Sequence, residues 1–336
     1  MKTTIHDVAR RAGVSTTTVS HVMTEGRNRA RYAPATVQRV LRAAERLRYS
    51  PSRRAHNMCA GTNRIVSMFS SMGEDIESPY GCMIFTGAAL AFQEVGYAVE
   101  IVDPSMGCEL SRVLRNTDGV IFCVGMDLAV AEVVRQSQLP TVRLNVGLSD
   151  PTDCVEPDDR AGMQSIGAHV LKLGYERVIY VRPRLTADHP SIRIRETALA
   201  ESIAGLTFGT LPYDVSASPP EKALQPLIRD LQRDALSHTV LVAYADNIRL
   251  ALQQVLYRAG LAVPRDIGIA SGYTALYDRT TNAGLQATGA TYRVTDLGAA
   301  GARMMLERIR AGGASVPSVL VPETFVEGTT TCSQRV

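Results

Sequence analysis

Thr16, Thr17 and His21 lie within six residues of one another in Thr4 to Met23, TIHDVARRAGVSTTTVSHVM, a stretch whose only acid is Asp7. Two hydroxyls and an imidazole on one helix face suit hydrogen bonding to base edges and phosphates better than proton or group transfer. Two short helices broken at Gly13 must position them. Ile5, Val8, Ala9 and Ala12 keep helical spacing, and Thr4 with Asp7 three residues later is the start signal of a capped helix. Gly13 suits the left-handed stop of the first helix, and Ser15 suits the cap of a second that turns Val19, Val22 and Met23 inward. The pattern predicts a helix-turn-helix whose outward face, Thr16, Thr17 and His21, enters a major groove.

No catalytic constellation competes with this reading. G-x-S-x-G, H-E-x-x-H and a glycine-rich phosphate loop are absent, and the six histidines are scattered at 6, 21, 56, 169, 189 and 238. The six cysteines, at 59, 82, 108, 123, 154 and 332, form no C-x-x-C pair, which predicts reduced, mostly packed thiols. No catalytic residue, metal site or cofactor is expected. A capped helix stands where an export signal would begin, and no run approaches the length of a membrane span, so a cytoplasmic protein is expected.

The charge is unevenly spread. Residues 1–62 carry 12 Lys/Arg against 3 Asp/Glu, a net of +9, while residues 63–336 carry 24 against 30. A basic head on a mildly acidic body points to a polyanion as partner of the head alone.

After the helix-turn-helix, the arginine-rich Thr24 to Ala33 reads as an exposed loop. Pro34 opens a third helix with Val37, Val40, Leu41, Ala44 and Leu47 as its apolar stripe. Ser52 to Gly61 is a linker with helical potential, too short to be stable alone. From Arg64 onward, strands alternate with helices. Strands are expected at 65–69, 98–102, 119–124 and 141–144, then at 178–181, 240–243 and 267–270. The helices include 82–95, 161–173, 193–203, 224–234, 247–259 and 294–310. This is the pattern of two successive doubly wound parallel lobes, with the apolar segment Val319 to Val326 returning to complete one or both. Ligands of such folds bind beyond the carboxyl ends of the strands, here in the cleft between lobes.

These residues also carry a resemblance. Thr4-Ile5-His6-Asp7-Val8-Ala9, Gly13-Val14-Ser15, Thr18-Val19-Ser20, Pro34-x-Thr36, Val40, Leu47-x-Tyr49-x-Pro51 and Ala55 closely resemble the LacI/GalR family of bacterial transcriptional regulators. Val155-x-Pro157-Asp158, Leu171 to Tyr175, Gly260-Leu261-x-Val263-Pro264-x-Asp266-Ile267 and Leu297-Gly298-x-x-Ala300 extend the likeness through the body. It implies an α/β protein with an N-terminal three-helix DNA-binding domain (1–50) and a hinge helix or linker (51–62). A two-lobed, periplasmic-binding-protein-like core (63–336) would follow, binding a ligand and dimerising. Lobe one would be about 63–157 plus 290–323, and lobe two about 158–289 plus 324–336.

The resemblance further implies a homodimer on near-palindromic double-stranded operator DNA, a small-molecule effector and no membrane. Thr16, Thr17 and His21 match base-reading positions, Ser15, Thr18, Ser20 and Tyr49 match positions that touch the DNA backbone, and Thr4 is a further candidate for DNA binding. Ser52, Ala55, His56 and Met58 fall on the hinge, with Met58 where a leucine usually wedges into the minor groove. Histidine at 21 departs from the family's usual arginine, so an altered operator base pair is expected there.

For the effector, the matching positions are Tyr80, Ser191, Arg193, Arg195, Asp246 and Tyr273. A guanidinium at 195 suits a carboxylate, a phosphate or paired hydroxyls. The usual Asn-Asp pair is Ala245-Asp246 here, and the chain has no tryptophan, so a standard hexose is disfavoured. A regulator that does not respond to sugars, or to any effector, and a solute-binding protein remain as alternatives.

Overall fold

The computed structural model describes residues 3–23, 29–49, 62–70, 79–106, 109–124, 127–147, 151–184, 189–214, 224, 227–229, 236, 238–274 and 286–334. They fall into two compact units, 1–64 and 65–336.

The first unit is built on α1 (Ile5–Ala12), α2 (Thr16–Met23) and α3 (Pro34–Arg46). The Asp7 carboxylate accepts both the amide and the hydroxyl of Thr4, and these bonds hold Asp7 below its ordinary pKa. Gly13 ends α1 at φ 64°, a conformation that a side chain would oppose. Ser15 Oγ then accepts the Thr18 amide at 3.1 Å, opening α2. Val8, Val19, Val22 and Val40 are fully buried where the three helices meet. Arg29–Arg31, expected as exposed loop, forms a single 3-10 turn that lays Tyr32 against this core.

The second unit contains two six-stranded sheets. β1 (Ile65–Ser70), β2 (Ala98–Val102), β3 (Gly119–Cys123), β4 (Thr141–Leu144) and β5 (Cys154–Pro157) belong to the first. β6 (Arg177–Pro183), β7 (Thr207–Tyr213), β8 (Thr239–Ala243), β9 (Gly268–Ser271) and β10 (Thr288–Thr291) belong to the second. β11 (Val319–Val321) then returns to the first sheet and β12 (Thr324–Val326) to the second. The orders are β11-β5-β4-β3-β1-β2 and β12-β10-β9-β8-β6-β7. All pairings are parallel except β10 with β12.

Residues of the central strands alternate between two cores. Ile121 and Cys123 of β3 face one cluster, while Val120 and Phe122 face another. In β8, Leu241 and Ala243 oppose Val240 and Val242 in the same way. Both faces of each sheet are therefore covered by helices, as parallel sheets require.

The helices of this unit, among the described residues, are α4 (Pro79–Glu94), α5 (Leu110–Asn116), α6 (Leu128–Gln136), α7 (Asp159–Leu173), α8 (Pro190–Ser202), α9 (Asp246–Arg258) and α10 (Val294–Arg310). α10 returns to the first lobe, where Leu297, Met304 and Met305 join the core of β1, β3 and β4. It packs so closely on α4 that a methyl group on Gly298 would collide with the Ile84 carbonyl.

The main differences from the sequence expectation are β5, β7 and β10. Each carries Gly or Pro or is only four residues long, which weakens the strand pattern. The helix expected at 224–234 lies largely outside the described residues.

Candidate nucleic-acid interface and interlobe cleft

α2 buries Val19 and Val22, while Thr17 and Ser20 are exposed and Thr16, Thr18 and His21 are half-buried. Ser15 and Thr18 hold each other through their hydroxyls at 2.9 Å, so both are committed to the start of the helix. Thr4 is likewise committed to Asp7. Tyr49 packs against the three-helix core, and burial raises its pKa. His21 has a partner that the sequence did not reveal. Its Nδ1 lies 2.9 Å from the Tyr32 hydroxyl, with the rings tilted at 48°. Ser52, Ala55, His56 and Met58 lie outside the described residues.

In the second unit, the effector candidates divide. Arg195 is buried on α8. Its Nε and Nη2 donate to Asp159 Oδ1 at 2.8 and 2.6 Å, and its Nη1 donates to the Tyr244 carbonyl at 2.7 Å. The guanidinium also stacks on the Tyr244 ring at 4.6 Å. Glu323, in the crossing between β11 and β12, approaches it to 4.0 Å with no side-chain exposure. Neither Glu323 oxygen has a hydrogen-bond partner among the described residues, and burial drives its pKa well up.

A chain of polar side chains leads from this pair across the lobes. Tyr244 Oη and Ser191 Oγ are 2.6 Å apart, and Ser191 Oγ is 2.6 Å from His189 Nδ1. His189 Nε2 donates across the cleft to the Asn145 carbonyl at 2.8 Å, a role that places the ring proton on that nitrogen. Asn145 Nδ2 donates to Tyr80 Oη at 3.0 Å, and the Tyr80 and Tyr292 hydroxyls are hydrogen-bonded to each other at 2.6 Å. The Tyr273 ring stands edge-on to Tyr80 and 5.1 Å from Tyr292. Burial raises the pKa of Tyr80, Tyr244 and Tyr292, which keeps these hydroxyls neutral donors and acceptors.

Beside this chain lies a cavity of about 250 Å³ lined by Gly147, Glu156, Asp158, Asp159, Ser191 and Ile194 among others. Glu156 Oε1 accepts the amides of Val146 and Gly147 at 3.0 and 3.1 Å. Burial nevertheless pushes its pKa up to about 7.

Tyr80, Ser191, Arg195 and Tyr273 thus come together. Arg193 does not join them, and lines a separate open groove with Arg182, Glu196 and Phe208. Asp246 is the first residue of α9 and accepts Arg249 Nε at 2.6 Å, balancing a fully buried guanidinium. The Asp158-Asp159 doublet following β5 is the sequence signal that could have disclosed the Arg195 partner. Among the described residues, no group of His, Cys, Asp and Glu is arranged to hold a metal ion. No helix there is long and apolar enough to cross a membrane.

A helix-turn-helix followed by two parallel lobes with a polar cleft defines a DNA-binding transcriptional regulator. The profile of bacterial regulatory proteins of the lacI family matches residues 4–52, and that of the periplasmic binding protein-like domain matches 168–331. The chain is 27% identical to the HTH-type transcriptional regulator DegA of Bacillus subtilis over 280 residues, 80% of this chain and 81% of that protein. It is 26% identical to the HTH-type transcriptional repressor PurR of Photobacterium profundum over 279 residues, 79% of this chain and 80% of that one. The fold superposes on the Lac repressor dimer bound to operator and the anti-inducer ONPF with a TM-score of 0.80 at 19% identity. That match covers 99% of this chain and 100% of the other. Residues 4–52 thus carry the DNA-binding domain of the lacI family of bacterial regulatory proteins, and the curated relatives named above are transcriptional regulators.

Proposed function

We propose that the protein is a cytoplasmic, non-enzymatic repressor that binds a near-palindromic operator as a homodimer. In this reading Thr16, Thr17 and His21 meet base edges, residues 51–62 form the hinge, and a small molecule between the lobes controls DNA affinity. The observation that carries it is the joining of a basic helix-turn-helix to a two-sheet core whose lobes meet in one polar chain, Asn145 to His189 to Ser191 to Tyr244. A ligand that breaks or completes this chain favours one lobe arrangement over another, and only that differential affinity shifts operator binding. Selecting sites from random duplexes with the full chain tests the proposal. A recurrent two-fold-related sequence is expected, and recovery of no preferred sequence would overturn it.

A second reading, a regulator that responds to no effector, is supported by the state of Arg195, whose guanidinium is already engaged inside the protein. Three of its five N–H groups are taken by Asp159 and Tyr244. A ligand anion would have to compete with Asp159 for the guanidinium, so an acidic effector gains less there than the arginine alone suggests. A melting-temperature screen of sugars, sugar acids, nucleobases and phosphorylated metabolites against the full chain distinguishes the two readings. A shift with any of these compounds argues for the first, and a shift with none of them for the second.

A further inference from the structure

His21 and Tyr32 are eleven residues apart, one on the outward side of α2 and the other just beyond the 3-10 turn Arg29–Arg31. Their polar atoms meet at 2.9 Å. The contact occupies Nδ1 and leaves Nε2 as the ring's only other hydrogen-bonding atom. Which role Nε2 plays depends on the direction of the bond to Tyr32. A phenol donates well, but its oxygen lone pair is drawn into the ring and accepts poorly. A neutral imidazole offers one bare nitrogen that accepts well.

We propose that Tyr32 is a positioning residue for DNA recognition. Its hydroxyl donates to His21 Nδ1, fixing the tautomer with hydrogen on Nε2 and presenting a single N–H donor to the major groove. The inference rests on the reading of His21 as a base-contacting side chain.

The consequence is a stated base preference. A lone donor selects a major-groove acceptor, guanine O6 or N7, adenine N7 or thymine O4, and rejects the cytosine and adenine amino groups. Without Tyr32 the imidazole is free to exchange its proton between nitrogens and to rotate about χ2. It would then offer donor and acceptor alike and discriminate less. Tyr32 is half-buried against the headpiece core, which holds its hydroxyl in place. The Tyr32→Phe variant keeps that packing and removes only the hydroxyl, so folding is preserved while the fixed tautomer is lost.

The experiment has three arms, all with the full chain. In the first, wild-type protein labelled with 15N-histidine is examined at about pH 8, where an imidazole is ordinarily neutral. A protonated Nε2 and a bare Nδ1 are expected for His21, whereas the opposite tautomer or an even mixture overturns the proposal. In the second, site selection is repeated with Tyr32→Phe. Discrimination at one base pair per half-site should fall by roughly three- to tenfold, the scale of one directional hydrogen bond. The dependence of affinity on salt should not change, because no phosphate contact is altered. Unchanged discrimination overturns the proposal. In the third arm, His21→Ala should relax preference at that same base pair. If His21→Ala still selects an operator but alters no position, His21 does not read bases. The positioning role of Tyr32 then falls while the repressor reading stands. If the wild-type chain selects no sequence at all, the repressor reading falls as well.

Discussion

Arg195 and Asp159 are paired in the interior of lobe two, Nη2 to Oδ1 at 2.6 Å, with each side chain only 6% exposed. Removing one member of such a pair leaves the other as an uncompensated buried charge. Arg195→Ala should destabilise the core by about 3–5 kcal/mol in urea unfolding. The double variant Arg195→Met with Asp159→Leu should recover most of that loss. A single variant as stable as the wild type would show that the pair contributes little.

Stability should fall as pH rises. Glu156 titrates near 7 when folded, because burial outweighs its two backbone hydrogen bonds, while an unfolded glutamate titrates near its ordinary value of about 4.3. Between those values the native state holds a proton that the unfolded chain has released, so raising pH favours unfolding. Glu323 is shifted in the same direction by burial. The melting temperature should therefore decline from about pH 5 to about pH 8. Glu156→Gln, which keeps an acceptor for Val146 and Gly147, should flatten the decline and gain on the order of 3 kcal/mol at the upper end. Stability that increases over this range would contradict the assignment.

His21→Arg should change the selected operator. A guanidinium spans guanine O6 and N7 together, whereas an imidazole makes one bond. The expected outcome of site selection is a sharper guanine preference at one base pair per half-site, with the other positions retained. An identical selected sequence would remove His21 from the reading face.

The contact of α10 with α4 should tolerate no side chain. Gly298→Ala places a methyl group against the Ile84 carbonyl, and Gly87→Ala meets that of Thr295. Either substitution should destabilise the core by about 1–3 kcal/mol, the usual cost of overpacking, with the first unit unaffected. Circular dichroism and urea titration of each variant measure it.

Elements whose residues repeat at a clear period were legible from the amino acids. The spacing predicts β2, β4 and α10 at the bounds observed, because Ala98–Val102 and Thr141–Leu144 are short runs rich in strand-forming residues and Val294–Arg310 keeps apolar residues at helical spacing. β7 escaped because TFGTLPY carries a glycine and a proline and lies at a sheet edge, where half its surface stays exposed. Side-chain pairing was less legible than secondary structure. Arg193 and Arg195 are chemically alike and two apart, yet only Arg195 meets a carboxylate 36 residues earlier in the chain. Tyr32 escaped for a similar reason. Its partner His21 lies across a turn whose course local spacing does not specify.

If the first unit reads DNA through a helix-turn-helix anchored on phosphates, its affinity must depend on salt. Fluorescence anisotropy of the full chain on its selected operator, titrated at a series of salt concentrations, tests it most directly. The logarithm of affinity should fall steeply and linearly with the logarithm of salt, with the operator preferred over scrambled duplex throughout. Affinity that is independent of salt, or equal for operator and scrambled duplex, would contradict it.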